Sequence, residues 1–166
     1  MSSGFANDPH SQQGYDCPRN FFGLIDYARL HAVERSFAIR RAAQLEDRPV
    51  SGSFDLPHLR AIHGFLFQDV FPWAGGFRVV NMSKGGSFYL GEINAIHPFR
   101  EGNGRTQREF IRQLALRAGH PLSWVGFTQQ QMVDASIASH LRGDNAGLTA
   151  IIEAALFSSR EQASRT

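Results

Sequence analysis

The sequence has little cysteine and lysine, and it has no long apolar run. Cys17 is the only cysteine among 166 residues, which excludes a disulfide framework within the chain. No apolar stretch approaches the roughly 20 residues that a membrane-spanning helix needs. The first residues do not have the basic and then apolar order of a secretory signal. We therefore expect a cytoplasmic chain without a membrane partner, and translocation into a host cell by another route stays open.

Lysine is nearly absent, since Lys84 is the only one and the remaining 16 of the 17 basic residues are arginine. The formal net charge of +2 is too small to indicate a nucleic-acid partner, and the arginines are dispersed, so none is expected. The preference for arginine over lysine fits the base composition of a genome. Near residues 97–108 it also fits the forked contacts that arginine makes with phosphate.

What the sequence does contain is typical of one globular, mainly helical domain. Hydrophobic residues make up 42% and aromatic residues 11%, which argues against global disorder. No repeat or linker divides the chain. We expect a polar, flexible N-terminal segment over residues 1–16, one domain over 17–157 and a C-terminal tail over 158–166.

Apolar periodicity predicts the helices. They are expected over residues 24–45, from Asp55 to the FPWAGG stretch, over 105–118, over 128–141, and over the final GLTAIIEAALF. The second helix carries a buried stripe of Leu59, Ile62, Leu66, Phe67 and Val70.

Local signals mark where these elements begin and end. Pro57 is tolerated in a first helical turn after Asp55, and Thr128 with Gln131 matches a capping box. Asp144 or Asn145 suits the cap of the last helix. The stretch FRVVNMSKGGSFYL predicts a β-hairpin, and residues 91–96 predict a short helix that ends before Pro98.

The stretch HPFREGNGRTQR, residues 97–108, combines a histidine with a glycine-rich helix entry. His97 has the side chain that most often accepts a proton near neutral pH, whereas His31, His63 and His120 are interpreted as structural. Glycines such as Gly102 and Gly104 let backbone N–H groups turn toward an anion at a helix N-terminus. No Gly-Lys-Ser/Thr follows, which excludes a P-loop.

The charged residues of the same stretch suit a metal-bridged phosphate. Arg105 and Arg108 lie three residues apart in a first helical turn, where both are within reach of one anion. Glu101 would repel a bare phosphate, but Mg²⁺ commonly binds one or two carboxylates together with phosphate oxygens. A simple helix entry, in which Glu101 favours the helix dipole, explains the glycines alone but not the whole string.

Residues 97–108 match the Fic-family motif, H-x-F-x-[D/E]-G-N-G-R-x-x-R, at every fixed position, and the chain therefore resembles that family. Residues 54–75 are similar to the family's helix leading to a flap, NMSKGG to the flap hairpin, and YLGEINAIHPF to the helix before the motif. The resemblance covers roughly residues 20–157. It implies a helical bundle with a small β-hairpin flap, and AMP transfer from ATP to a tyrosine, serine or threonine hydroxyl of a target protein.

The resemblance also implies roles for individual residues. His97 is implied to deprotonate the target hydroxyl, Phe99 to anchor the loop, and Glu101 to hold Mg²⁺ on the phosphates. The residues implied to bind the nucleotide are Gly102, Asn103, Gly104, Arg105 and Arg108. Lys84 and Gly85 of the flap are candidates for contact with the target or nucleotide, and a solvated turn is the alternative. The phosphate-transferring branch carries lysine at the position of Gly104, so glycine favours AMP transfer.

Two departures from the family pattern qualify this reading. Only eight residues, Ser87–Asn94, separate the Gly-Gly turn from AIHPF, so the chain is naturally shortened, engineered or lacks a segment between Phe88 and Gly91. The inhibitory [S/T]-x-x-x-E-[G/N] pattern fails at its last position in the stretch 149–154. We therefore expect a small antitoxin protein as inhibitor, and an unregulated chain is the alternative. The alternative function is a nucleotide-binding module or toxin that acts mainly through such a partner, with little turnover.

Overall fold

The computed structural model describes residues 8–78 and 98–163, without the side chains of residues 140 and 157–163. Its helices are α1 (Tyr27–Asp47), α2 (Leu56–Phe67), α3 (Asn103–Arg117), α4 (Gln129–Arg142) and α5 (Ala146–Ala163). This confirms the mainly helical fold. The expected hairpin with Lys84 and Gly85, the short helix over 91–96 and His97 itself lie outside the described residues. No helix within the described ranges is both long and apolar enough to span a bilayer.

Helix α1 begins at Tyr27, three residues later than the periodicity predicts. The reason is Asp26, whose carboxylate accepts hydrogen bonds from the N–H groups of Ala28 and Arg29 and so caps the helix. The buried face of α1 includes Glu34 among apolar residues, and α1 packs against α2. A buried carboxylate needs a charged or hydrogen-bonding partner, and for Glu34 that partner is Arg105.

Helix α2 follows the predicted signals. Asp55 caps it by accepting from the N–H of His58 at 3.0 Å, and a proline stands in the first turn. All five residues of the predicted stripe are buried: Leu59, Ile62, Leu66, Phe67 and Val70. Phe71 and Trp73 extend this core beyond the helix, with ring centroids 4.4 Å apart.

The segment before α1 joins the same core. Asp8 is buried, and its carboxylate lies 2.8 Å from Nε of Arg100 in the motif loop. Cys17 is fully buried, and Trp73 donates from its indole N–H to the carbonyl oxygen of Arg19. The boundary expected at residue 17 stays a prediction, but residues from Asp8 onward already contact the motif loop.

The chain divides into two compact units, which among the described residues are 8–78 with 98–109, and 110–163. In the second unit α4 packs against α5, and the Cβ of Ala135 lies close to Gly147. The predicted capping box of Thr128 and Gln131 is present. Before α5, the carboxylate of Asp144 accepts from the N–H of Ala146, as one of the two predicted caps.

Candidate active site

A closed loop leads from Pro98 into α3, and the side chain of Asn103 closes it. The Asn103 amide oxygen accepts from the N–H of Phe99 at 2.9 Å, and its NH₂ donates to the Phe99 carbonyl at 2.8 Å. Helix α3 therefore begins at Asn103, two residues earlier than predicted. The Pro98 carbonyl accepts from the N–H of Arg78, so the two residues that flank residues 79–97 are hydrogen-bonded to each other. His97 immediately precedes this point.

Phe99 anchors the loop in the core. It is buried, and its ring stacks on that of His63 with centroids 3.9 Å apart and planes 12° apart. The ring centroid of Phe77 lies 5.8 Å from that of Phe99. The buried position implied for Phe99 is confirmed.

His63 of α2 joins the motif loop to the turn that follows α2. Its Nδ1 accepts from the N–H of Gly75 at 2.8 Å, so Nε2 carries the proton and donates to the carbonyl oxygen of Glu101 at 3.0 Å. Burial lowers the pKa of His63 to about 4, and the imidazole is neutral at physiological pH. The structural interpretation of this histidine is confirmed, although no sequence signal placed it beneath the motif.

The two motif glycines have different surroundings. Gly102 has φ +76°, and a Cβ there would lie 2.3 Å from ring carbons of the buried Phe67. At Gly104 a Cβ would meet only Nη1 of Arg108, at 3.5 Å. Gly102 is thus required for the close approach to Phe67. The space beside Gly104 is open apart from a guanidinium.

The first turn of α3 provides the electropositive end that the sequence predicts. Thr106 makes the first intrahelical bond, from its N–H to the carbonyl of Gly102. The N–H groups of Asn103, Gly104 and Arg105 precede it and have no acceptor within the helix. Gly104 is exposed at this end, so an anion can approach the N–H groups and the positive end of the helix dipole.

Glu101 lies beside this turn and is mostly buried. Its Oε1 accepts from the hydroxyl of Tyr27 at 3.2 Å and lies 3.6 Å from Nη1 of Arg100. Burial raises the pKa of Glu101, and the neighbouring Arg100 and the Tyr27 hydrogen bond oppose that rise. Burial together with the Glu101 carboxylate raises the pKa of Tyr27 to about 12, so the phenol remains a donor.

The two motif arginines lie close together. Arg105 places Nη1 and Nη2 2.6 and 2.7 Å from the two carboxylate oxygens of Glu34, and its Cζ lies 5.2 Å from the centroid of the Phe67 ring. Burial lowers the pKa of Arg108, and the positive charge of Arg105 adds to that effect. Both guanidiniums carry a positive charge beside the first turn of α3, and both would attract an anion that approaches it.

The donor set around Glu101 fits Mg²⁺. No group of three or more histidine, cysteine, aspartate or glutamate side chains suited to a metal occurs within residues 8–78 and 98–163. A single partly exposed carboxylate beside an anion site matches the way Mg²⁺ is bound in nucleotide-dependent enzymes, where phosphates and water supply the other ligands. A cation there would also offset the cost of burying Glu101.

Three residues of this site were not predicted as site residues: Tyr27, Glu34 and His63. Tyr27 and Glu34 reach the motif from α1, more than 70 residues away in the chain. Periodicity places apolar residues on a helix face, but it does not show which buried polar residue meets which partner. Only Glu34 gives a hint, because a carboxylate within an otherwise apolar helix face is unusual.

Comparison with known proteins identifies the family. The model of the Fic/DOC family matches residues 87–115. The probable protein adenylyltransferase Fic of Salmonella typhimurium is 33% identical over 196 residues, which is 95% of this chain and 96% of that protein. Protein adenylyltransferase VbhT of Bartonella schoenbuchensis is 38% identical over 173 residues, 81% of this chain, and this chain spans 36% of it. The chain belongs to the Fic/DOC family.

Solved structures share the fold. The Fic domain of a Bartonella quintana effector with bound ADP has a TM-score of 0.79 at 22% identity, covering 88% of this chain and 93% of that one. The BepC protein of Bartonella tribocorum with bound AMPPNP has a TM-score of 0.76 at 20% identity, covering 88% and 95%. The alignment with the Salmonella protein is longer than the 166 residues of this chain, so that relative contains residues without a counterpart here.

Proposed function

We propose that this chain is a protein adenylyltransferase that transfers AMP from ATP to a hydroxyl of a target protein. The observation that carries the proposal is the first turn of α3, where Gly104 is exposed, Nη1 of Arg108 lies beside it, and Glu101 and Arg105 flank the turn in the chain. Relatives named adenylyltransferases, at 33% and 38% identity, and Fic structures with bound ADP and AMPPNP support it.

In the proposed reaction His97 accepts the proton of the target hydroxyl. The hydroxyl oxygen then bonds to the α-phosphorus, the bond from that phosphorus to the β,γ-pyrophosphate breaks, and pyrophosphate leaves with the displaced negative charge. Such transfer depends on positioning and on stabilising charge rather than on covalent help from the protein. The turn at Gly102–Gly104 and the two arginines meet both needs, because Asn103 and His63 hold the loop in one conformation.

Glu101 is the residue that would hold Mg²⁺, whose contribution when bound is to neutralise charge on the phosphates. Glu101 itself is held by Tyr27 and by the hydrogen bond from His63 to its carbonyl group. These contacts orient the carboxylate before any ligand arrives.

The partners remain part of the proposal. Lys84 and Gly85 would contact the target or the nucleotide from a flap. A small antitoxin protein would supply an inhibitory glutamate, since Glu153 is exposed on α5 and the stretch 149–154 fails the inhibitory pattern. We propose a cytoplasmic site of action, and translocation into a host cell is the alternative.

Labelled ATP tests the reaction. The purified chain is incubated with Mg²⁺ and a bacterial lysate, once with label on the α-phosphate and once with label on the γ-phosphate. Adenylyl transfer predicts protein-bound label from the α-position only. Label from the γ-position only would show phosphoryl transfer instead, and nucleotide binding without any label would favour a binding module.

Two histidine variants make the assay specific. His97→Ala is expected to abolish labelling, because the general base is lost. His120→Ala is the matched control, since His120 is exposed beyond the end of α3 and outside the motif. Labelling that survives in His97→Ala would remove His97 from the role of base.

A further inference from the structure

Helix α1 presents two polar side chains to the motif. Tyr27 and Glu34 are seven residues apart, about two helical turns, and therefore lie on one face of α1. Tyr27 donates to Glu101, and Glu34 pairs with Arg105. Each contact joins residues more than 70 positions apart, so α1 holds both the acid and the first arginine of the motif.

The pair of Glu34 and Arg105 has the geometry of a clamp. Nη2 donates a hydrogen bond to Oε2 of Glu34 at 2.7 Å, and Nη1 lies 2.6 Å from Oε1 as an ion-pair contact without a hydrogen bond. The centroid of the Phe67 ring lies 5.2 Å from Cζ of the guanidinium. Glu34 is only 3% exposed, whereas the side chain of Arg105 remains 29% exposed. The fixed partner is the carboxylate, and the arginine is held against it.

The pair with Glu34 leaves some N–H donors of Arg105 available for another acceptor. A guanidinium has five N–H donors, and one of those of Arg105, on Nη2, donates to Glu34. The other four donors lie outside this hydrogen bond, while the ion pair with Glu34 fixes the direction of the guanidinium. A phosphate can be bound by Arg105 while Glu34 still holds it.

Two opposite consequences can be drawn from this contact. If Glu34 mainly neutralises Arg105, its removal should strengthen the attraction for a nucleotide. If it mainly orients Arg105, its removal should weaken binding, because a mobile arginine loses its alignment with the phosphates. The two-point geometry, the aromatic ring and the burial of Glu34 favour orientation.

We propose that Glu34 is a positioning residue that orients Arg105 for the phosphates of the nucleotide. The inference extends the proposed adenylyl transfer to a residue outside the motif, and it concerns the nucleotide-binding step of that reaction. Its test is therefore based on binding, which can be measured whether or not transfer occurs.

The test measures the dissociation constant of AMPPNP with Mg²⁺ by titration calorimetry. Glu34→Gln keeps the size of the side chain but loses the charged fork, and it should raise the dissociation constant about 10-fold, a typical effect of losing a supporting partner. Glu46→Gln is the matched control, since it removes one charge from an exposed position of α1 and should change the constant less than about twofold. An unchanged or lower constant for Glu34→Gln would overturn the proposal.

A second pair of variants separates orientation from a general effect on the fold. In an Arg105→Ala background, Glu34→Gln should have no further effect on AMPPNP binding beyond about twofold, because the group that it orients is gone. An equally large effect in both backgrounds would show that Glu34 acts on the fold and not through Arg105.

A third variant tests whether the charge of Glu34 or its volume matters for AMPPNP binding. Glu34→Met fills a similar volume without burying an amide, and it should bind AMPPNP as weakly as Glu34→Gln. If neither variant folds, as judged by circular dichroism, Glu34 serves the fold and the proposal is wrong. A wild-type chain that binds AMPPNP but transfers no AMP would contradict the proposed function alone, and one that does not bind would contradict both.

Discussion

Replacing Gly102 with alanine is expected to destabilise the unit that carries the motif, while the same replacement at Gly104 is not. A Cβ at Gly102 would lie 2.3 Å from two ring carbons of Phe67, which is fully buried. Overpacking of this kind costs about 1–3 kcal/mol. The φ of +76° adds about 1–2 kcal/mol for a residue with a side chain. The expected loss is about 2–5 kcal/mol in the free energy of unfolding.

Gly104→Ala is the internal control, because it lies two residues away in the same turn. Its Cβ would meet only a guanidinium nitrogen of Arg108 at 3.5 Å, and its φ is not positive. Reduced freedom of the unfolded chain should stabilise this variant by about 0.4–1 kcal/mol. Urea unfolding followed by circular dichroism measures both variants. Unfolding free energies that agree within about 0.5 kcal/mol would refute the steric reasoning.

Three further changes test other parts of the structure. His63→Gln should remove a pH dependence of the free energy of unfolding. The pKa of His63 in the folded chain is about 4, below its ordinary value of 6.5. The wild type should therefore lose up to about 3 kcal/mol of stability relative to the variant as pH falls from 6.5 to 4. Equal pH profiles in urea unfolding would contradict a buried neutral imidazole. Asp8→Asn should cost up to about 3–5 kcal/mol by removing the nearer carboxylate from the buried Arg100, whose other acidic neighbour, Glu101, lies 3.6 Å away. A loss below about 1 kcal/mol would show that the segment before α1 is not part of the core. Thr128→Ala should cost about 1 kcal/mol by removing the cap of α4, and Thr149→Ala, inside α5, serves as its control in thermal unfolding.

Features that depend on neighbours within four residues were predictable from the sequence. Asp55 with Pro57 marks the start of α2, and Thr128 with Gln131 marks the start of α4, because capping is a contact between a side chain and the next turn. The start of α1 was placed at Leu24 instead of Tyr27. The apolar pattern continues upstream of Tyr27, so it does not mark where α1 begins. The feature that does is the N-cap at Asp26.

Features that depend on distant contacts were not predictable. Glu34 occupies a buried position of α1 because Arg105, 71 residues later, pairs with it. His63 supports the Glu101 carbonyl from α2, across a separation of 38 residues. A single sequence contains the residue types of such pairs but not their partners.

The motif shows both cases within a few residues. The resemblance to the Fic family implied that Gly102, Asn103 and Gly104 together bind the phosphates. In the structure their surroundings differ. Gly102 leaves room for the ring of Phe67, the Asn103 side chain closes the loop onto Phe99, and beside Gly104 the space is open apart from the Arg108 guanidinium. The role of Glu101 as a Mg²⁺ ligand stays a prediction. Within the structure its carboxylate lies near Arg100 and accepts a hydrogen bond from Tyr27.

The intact mass of a target protein captured from the labelled lysate tests the central claim most directly. The target is incubated with ATP, Mg²⁺ and either the wild-type chain, the Glu101→Gln variant or the Glu46→Gln control. The proposed function predicts a mass gain of one AMP with the wild type and the control, and none with Glu101→Gln. A gain of one phosphate, or an AMP gain that persists without Glu101, would contradict the assignment of this site to metal-assisted adenylyl transfer.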